Sequence, residues 1–369
     1  MVMRVWVTIG LLLALADISP QKPCPAPLWT VDLVSKYQLE PFVDLKHPRN
    51  ATAPVWQTQR GITFTSPERL AIYEVVESKN LTQLTPRDAS GGGGKFTLRA
   101  LFLDPRDGNE VRELNWTTSA LDYSKIYATH DGHFLVRTGR VLRSYSPDFH
   151  EIASRSLPIN TGNILDTVIV VPPGKVVFTE QVWFRGVYNP SRHEKNLIDA
   201  DTLNDIPNPS PNDVALWTDA DDRFSELTGH PPRQLTFEEE QWKHFHDCAA
   251  SAFVGVPARG DDPRSCKQLT LFTSDGRPWW HLEFRNEIPD REINGNTLAV
   301  VLAHFGADPF DLGRKPKPLQ IAIYDLAQKT EKCSIDLTKM RYEENYDFAV
   351  SSDGVVAARL GNNLSVYKP

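Results

Sequence analysis

The chain has 369 residues, 40% of them hydrophobic and 24% charged, with a formal net charge of −7. That apolar content is ample for a large core, while an acidic balance without a Lys/Arg stripe argues against a nucleic-acid partner. With 28 Pro and only 3 Met, strands and turns are favoured over long helices.

The N-terminus reads MVMRVWVTIGLLLALADIS, with Arg4 ahead of an apolar run from Val5 to Leu15. The run is too short to span a bilayer, and Ala14-Leu15-Ala16 fits a small-x-small cleavage site. Residues 1–16 are therefore expected to be a signal peptide, and 17–369 an exported chain, secreted or periplasmic. A buried N-terminal strand is the alternative. Pro20-Gln-Lys-Pro-Cys24 lacks the small residues of a lipoprotein signal, so no membrane anchor is expected. The four cysteines, Cys24, Cys248, Cys266 and Cys333, suit disulfides in an oxidising compartment. Cys248 with Cys266 would close a short local loop, and Cys24 with Cys333 would pin the N-terminal segment to the C-terminal part. Sequence does not choose among the pairings, and four unpaired buried thiols are the alternative.

Leu28 to Leu33 alternates like a strand. Gly61 to Tyr73 predicts two strands about a turn at Ser66-Pro67, and Phe96–Leu103 and Val111–Trp116 predict a hairpin about Asp107-Gly108. Tyr127 to Leu157 forms the next module, and Leu165 to Thr179 follows with its turn at Pro173-Gly174. Residues 204–240 break the rhythm and read as an irregular insertion or a degenerate module. Strands return at Ser251–Val256, in the pair joined at Asp275-Gly276, and at Thr297–Ala303, Leu319–Leu326 and Lys332–Leu337.

Two of these modules are copies. Tyr127 to Tyr145 reads YATHDGHFLVRTGRVLRSY and Ala349 to Tyr367 reads AVSSDGVVAARLGNNLSVY. A single ungapped offset of 222 residues takes Asp131 to Asp353, Gly132 to Gly354, Arg137 to Arg359, Gly139 to Gly361 and Tyr145 to Tyr367. A repeated β-unit marks an array of small sheets, each needing its neighbours to cover both faces. The expected fold is all-β: a β-propeller of six or seven four-stranded blades in one domain. The last module has about three strands after Asn345, so the spare strand Leu28–Leu33 would complete it and close the ring.

The pattern at Ser351–Tyr367, with its copy at Thr129–Tyr145, resembles the repeats of secreted bacterial β-propellers of the WD-repeat-like and YVTN-like kind. The resemblance implies a fold and leaves activity open. No Trp-Asp dipeptide ends the modules, and the Trp-docking motif of quinoprotein dehydrogenases is missing.

Among candidate chemistries, Gly91–Lys95 fails as a phosphate loop: Ala89 and Phe96 stand where Gly and Ser or Thr are needed. Thr273–Trp279 reads as a hairpin turn, one residue short of a sialidase-type Asp-box. His244 and His246, two apart on a predicted strand, are the best metal candidates, with His281 or His304 as a third ligand. His130 and His133 flank the Asp131-Gly132 turn where the other copy has Ser352 and Val355, so the repeat does not need them; they read as turn residues on one rim. Asp199-Ala-Asp201, Asp219–Asp222 and Glu238–Glu240 read as solvated acidic surface. Trp279 and Trp280 are expected on opposite faces of their strand. The reading is a monomeric binding or scaffold module with a protein or small-molecule partner on a rim of the ring. The alternative is a metal-dependent hydrolase or lactonase-type enzyme, using Ca or Zn in the central funnel.

Overall fold

Apolar residues at both odd and even positions of a strand require cover on both faces of the sheet. In a computed structural model of the protein, the chain meets that demand by stacking small, mostly antiparallel sheets face to face. The structure describes residues 22–39, 60–77, 96–118, 124–139, 141–157, 164–171, 174–184, 187–188, 194–207, 249–253, 258–273, 278–304, 317–339 and 346–369. The elements are β1 (Trp29–Asp32), α1 (Leu33–Tyr37), β2 (Arg60–Ser66), β3 (Arg69–Glu77), β4 (Phe96–Leu103) and β5 (Glu110–Thr118). They continue with β6 (Ser124–Ala128), β7 (Phe134–Thr138), β8 (Val141–Tyr145), β9 (Glu151–Ser156), β10 (Ile164–Val171), β11 (Lys175–Phe184), β12 (Val187–Tyr188) and β13 (Glu194–Asp199). The rest are β14 (Ala249–Phe253), β15 (Ala258–Phe272), β16 (Pro278–Asn294), β17 (Thr297–His304), β18 (Lys317–Asp325), β19 (Thr330–Asp336), β20 (Tyr346–Val350), β21 (Val356–Leu360) and β22 (Asn363–Tyr367).

Strands β2 to β5 and β6 to β9 form two four-stranded meanders in chain order, and β10 to β13 form a third four-stranded sheet in which β11 is central. Strands β14 to β19 make a six-stranded sheet. In the fifth, the order is β1-β22-β21-β20: the first strand completes the last sheet, with Trp29 opposite Val366 and Asp32 opposite Asn363. The described residues thus make five sheets of a propeller-type array, and most of the irregular region expected at 204–240 lies outside them.

Each face-to-face contact is one apolar cluster, and alternation along single strands feeds two clusters at once. On β3, Leu70 and Ile72 pack toward the last sheet with Ala357, Leu364 and Val366, while Ala71, Tyr73 and Val75 pack toward Phe134 and Val136 of β7. Leu135 of β7 faces the other way, onto Val176 and Ile198 of the third sheet. On β17, Ala299 and Val301 meet Phe348, Val356 and Ala358, whereas Leu298, Val300 and Leu302 join Leu269 and Leu271. Each such Leu, Ile or Phe contributes ~1.5–3 kcal/mol by leaving water.

The repeated residues have repeated tasks. Arg137 and Arg359 are buried, and each donates from Nε to the carbonyl of the glycine two residues on, Gly139 at 3.0 Å and Gly361 at 3.2 Å. Both glycines sit at φ 59°, the left-handed region, so the turn needs Gly and the arginine secures its carbonyl. Burial, then the charge of Arg60, lowers the Arg359 guanidinium to about 10, against the opposing pull of Asp347 and Glu74.

A second recurrence lies at the outer edge. Val111 and Ile152, each the second residue of an outermost strand, and Lys332, the third residue of β19, fall in register shifts opposite Phe102/Leu103, Ser144/Tyr145 and Ile323/Tyr324. Bulges of this kind bend an edge strand and spoil it for uncontrolled pairing. Near two of them a tyrosine hydroxyl donates to the glutamate that opens the shift: Tyr145 to Glu151 at 2.9 Å and Tyr324 to Glu331 at 3.5 Å. Burial raises the Tyr145 phenol to about 12 and pushes Tyr324 up further.

The N-terminal segment is fastened at three places. Cys24 and Cys333 form a disulfide across a sequence separation of 309 residues, and Cys24 N–H donates to Ser334 O at 2.9 Å. After β1 the chain turns into α1, which its sequence pattern does not announce: Asp32 caps it by accepting from Ser35 N–H, and Gln38 ends it at φ 55°. Trp29 Nε1 donates to Pro105 O at 2.8 Å, Lys36 Nζ to Gly108 O at 3.0 Å, and Tyr37 Oη also reaches Gly108 O. These bonds dock the segment on the β4–β5 turn.

Candidate functional site

The turn between β6 and β7 carries two consecutive left-handed residues, Asp131 at φ 48° and Gly132 at φ 80°. Asp-Gly tolerates that geometry, which suits the twist of a tight hairpin. The turn closes with His133 N–H donating to His130 O at 2.8 Å and Thr129 N–H to His133 O at 3.0 Å. The flanking residues are thereby brought side by side. The imidazoles of His130 and His133 stack with centroids 4.8 Å apart and planes 19° from parallel.

A second loop meets them from the third sheet. After β13, Asp199 folds the chain back: its Oδ1 accepts from Asp201 N–H at 3.1 Å, Thr202 N–H at 2.7 Å and Thr202 Oγ1 at 2.9 Å. Burial opposes ionisation of Asp199, but the Thr202 and Asp201 hydrogen bonds prevail and its carboxyl titrates below the usual range. Ser144 Oγ of β8 holds the Asp201 carbonyl, and Arg155 of β9 donates to Leu203 O at 2.8 Å and pairs with Asp205 at 2.8 Å.

So fixed, the Asp201 carboxylate faces both rings. Its Oδ1 accepts from Nδ1 of His133 at 2.8 Å, and its Oδ2 lies 3.4 Å from Nε2 of His130. One donor atom from each of the three side chains lies within 4.8 Å of the others. All three are partly buried, with side-chain exposures of 26%, 23% and 33% for His130, His133 and Asp201. The other nitrogen of His130, Nδ1, is buried without a partner among the described residues. It lies 3.0 Å from where a Cβ on Gly174 would stand, so glycine there makes room for the ring.

The residues singled out from sequence fare differently. His244, His246 and Cys248 lie outside the described residues, as do Gly91–Lys95, Asp219–Asp222 and Glu238–Glu240. His281 is on β16, bonded to Thr270 and 3.5 Å from Glu283, and His304 ends β17; neither joins a metal-ligating cluster among the described residues. Cys266 lies on β15. Trp279 and Trp280 pack against one cluster and not on opposite faces. The reason is a register shift: Leu271 pairs with Trp280 and Phe272 with Pro278, leaving Trp279 out of the ladder. The meeting of Asp201 with the histidine pair is missed from sequence, because 68 residues separate it from His133 and nothing periodic links them.

No family model matches the chain, and no curated protein matches it. Solved structures similar to it include a chain of the Mitotic Checkpoint Complex, 9% identical, covering 100% of this chain and 99% of that one at a TM-score of 0.37. The Dos1 propeller is 12% identical over 85% of this chain and 94% of that one, TM-score 0.35. The Neurospora crassa Pan2 WD40 domain is 8% identical over 93% and 94%, TM-score 0.29. At such scores these likenesses add nothing to the fold read from the sheets.

Proposed function

We propose that this chain is an exported β-propeller that serves as a protein-binding module. Export is supported by the apolar stretch Val5–Leu15 and by the Cys24–Cys333 bridge, which suits an oxidising compartment. The observation that carries the binding role is the placement of the exposed large apolar residues. Leu28, Val111 and Ile152 are 52%, 48% and 43% exposed; Leu28 immediately precedes, and Val111 and Ile152 open, the outermost strand of three consecutive sheets. In an antiparallel meander these positions share a rim with the first hairpin turn of each sheet. Along that rim Arg69 at the β2–β3 turn donates to Pro147 O of the β8–β9 turn at 2.5 Å, joining the two sheets there.

Exposed apolar side chains placed alike on one rim offer a partner surface to bury, while the bulges beside Val111 and Ile152 keep those edges from indiscriminate strand pairing. The test places a photo-reactive amino acid at Val111 or Ile152, with Asn363 on the opposite rim as control. One partner should crosslink from the first two positions and not from Asn363. Val111→Glu with Ile152→Glu should abolish its capture without changing the melting temperature. Equal crosslinking from Asn363, or capture that survives the double substitution, would contradict the proposal.

A further inference from the structure

We propose that His130, His133 and Asp201 form a binding site for one divalent transition cation of the zinc class, with a coordination position left open on the rim. The inference is independent of the protein-binding role. Two imidazole nitrogens with one carboxylate oxygen suit Zn²⁺ and its neighbours, whereas Ca²⁺ requires six or more oxygens. Around zinc, ligand distances of about 2.0–2.1 Å put neighbouring donors roughly 3.3 Å apart. His130 Nε2 stands 3.4 Å from Asp201 Oδ2 and His133 Nδ1 stands 2.8 Å from Oδ1, so the two rings meet opposite oxygens of the carboxylate. One donor from each residue lies within 4.8 Å of the others, and gathering them around one cation takes shifts of at most about 1.5 Å. On cation binding, Nδ1 of His133 coordinates and its ring proton resides on Nε2.

Three observations set this cluster apart from an ordinary polar contact. First, the fold does not require the imidazoles, since the matched turn is built with Ser352 and Val355. Second, His130 Nε2, the nitrogen facing the cluster, lies 3.4 Å from its carboxylate, beyond the ordinary hydrogen-bond length, and is free to bind a cation. Third, the carboxylate is preset from behind. Ser144 holds the Asp201 carbonyl and Asp199 holds its N–H, the kind of outer support that orients a metal ligand. Nearby charge favours a cation, because Asp199 and Asp201 share one turn and no Lys or Arg is bonded to the Asp201 carboxylate among the described residues.

The test uses the full mature chain, disulfide intact, stripped with EDTA and titrated with zinc alone by calorimetry. One zinc per chain is expected at these residues. His130→Gln, His133→Gln and Asp201→Asn should each weaken binding by at least about tenfold, while His244→Gln with His246→Gln should leave that ion bound. Absence of stoichiometric zinc, or binding lost only in the His244/His246 variant, overturns the proposal. Should a substitution lower the melting temperature of the metal-free chain, X-ray absorption of the zinc-loaded wild type decides. Two imidazoles among oxygen ligands support the site, and a sulfur or all-oxygen shell overturns it.

Discussion

The β6–β7 and β20–β21 turns come from the same repeated text and do different things with it. In the second, Ser351 Oγ donates to Asp353 Oδ1 at 2.5 Å and accepts from Val355 N–H at 2.8 Å, and Val355 is buried. The turn is closed on itself. In the first, Thr129 Oγ1 has no partner among the described residues, and the position of Val355 is taken by a histidine that reaches into the next sheet. Away from the turns the copies agree: Arg137 and Arg359 occupy equivalent buried positions on equivalent glycine carbonyls. A repeat thus separates what the fold demands from what one copy has been free to acquire.

The largest expected effect concerns closure: β1 completes the last sheet, and just ahead of it the Cys24–Cys333 bridge ties the N-terminal segment to β19 of another sheet. Cys24→Ser with Cys333→Ser should cost about 2–4 kcal/mol, from the long loop the bridge closes. Hydrogen exchange should then rise in β22 and stay unchanged in β8; equal loosening of both strands would break the distinction. Next, Arg137→Met and Arg359→Met should each cost about 2–3 kcal/mol in denaturant melts, since each strands a buried carbonyl and empties a buried site. A large difference between the two would show that the copies are not equivalent. Ser351→Ala should cost about 1 kcal/mol, whereas Thr129→Ala should fall within about 0.5 kcal/mol of wild type.

The smallest effect is at the end of α1, where Arg99 donates to Tyr37 O and Gln38 O at 3.0 Å while paired with Glu113 at 2.9 Å. The hydrogen bond from Arg99, reinforced by Asn115, holds the Glu113 carboxyl below its ordinary value despite some burial. A depressed carboxyl stabilises the fold above its unfolded pKa near 4.5 and loses that contribution as pH falls through its folded value. Glu113→Gln should therefore cost about 0.5 kcal/mol at neutral pH, discounted for solvent screening, and less in acid. A cost that grows on acidification would contradict the assignment.

Much of the fold was legible because it is local. Asp-Gly turns, two-sided alternation and the 222-residue offset locate strands and predict that Leu28–Leu33 is spare for the last sheet. α1 was not legible: Leu33–Tyr37 is one short turn of helix, set by the Asp32 cap and by docking on Gly108. The tryptophan pair was misjudged because a bulge breaks the period of two at Trp279. The cluster was half legible. The histidines stood out against Ser352 and Val355, and Asp199-Ala-Asp201 was visible as an acidic pair, but their meeting depends on how two neighbouring sheets stack.

The most direct measurement is anomalous diffraction at the zinc absorption edge from crystals of the protein soaked in zinc. The account predicts a peak about 2.0–2.2 Å from a nitrogen of His130, a nitrogen of His133 and an oxygen of Asp201. No peak should appear at the matched Ser352–Val355 turn. A fully soaked crystal with no density between the two histidines and Asp201 would contradict it.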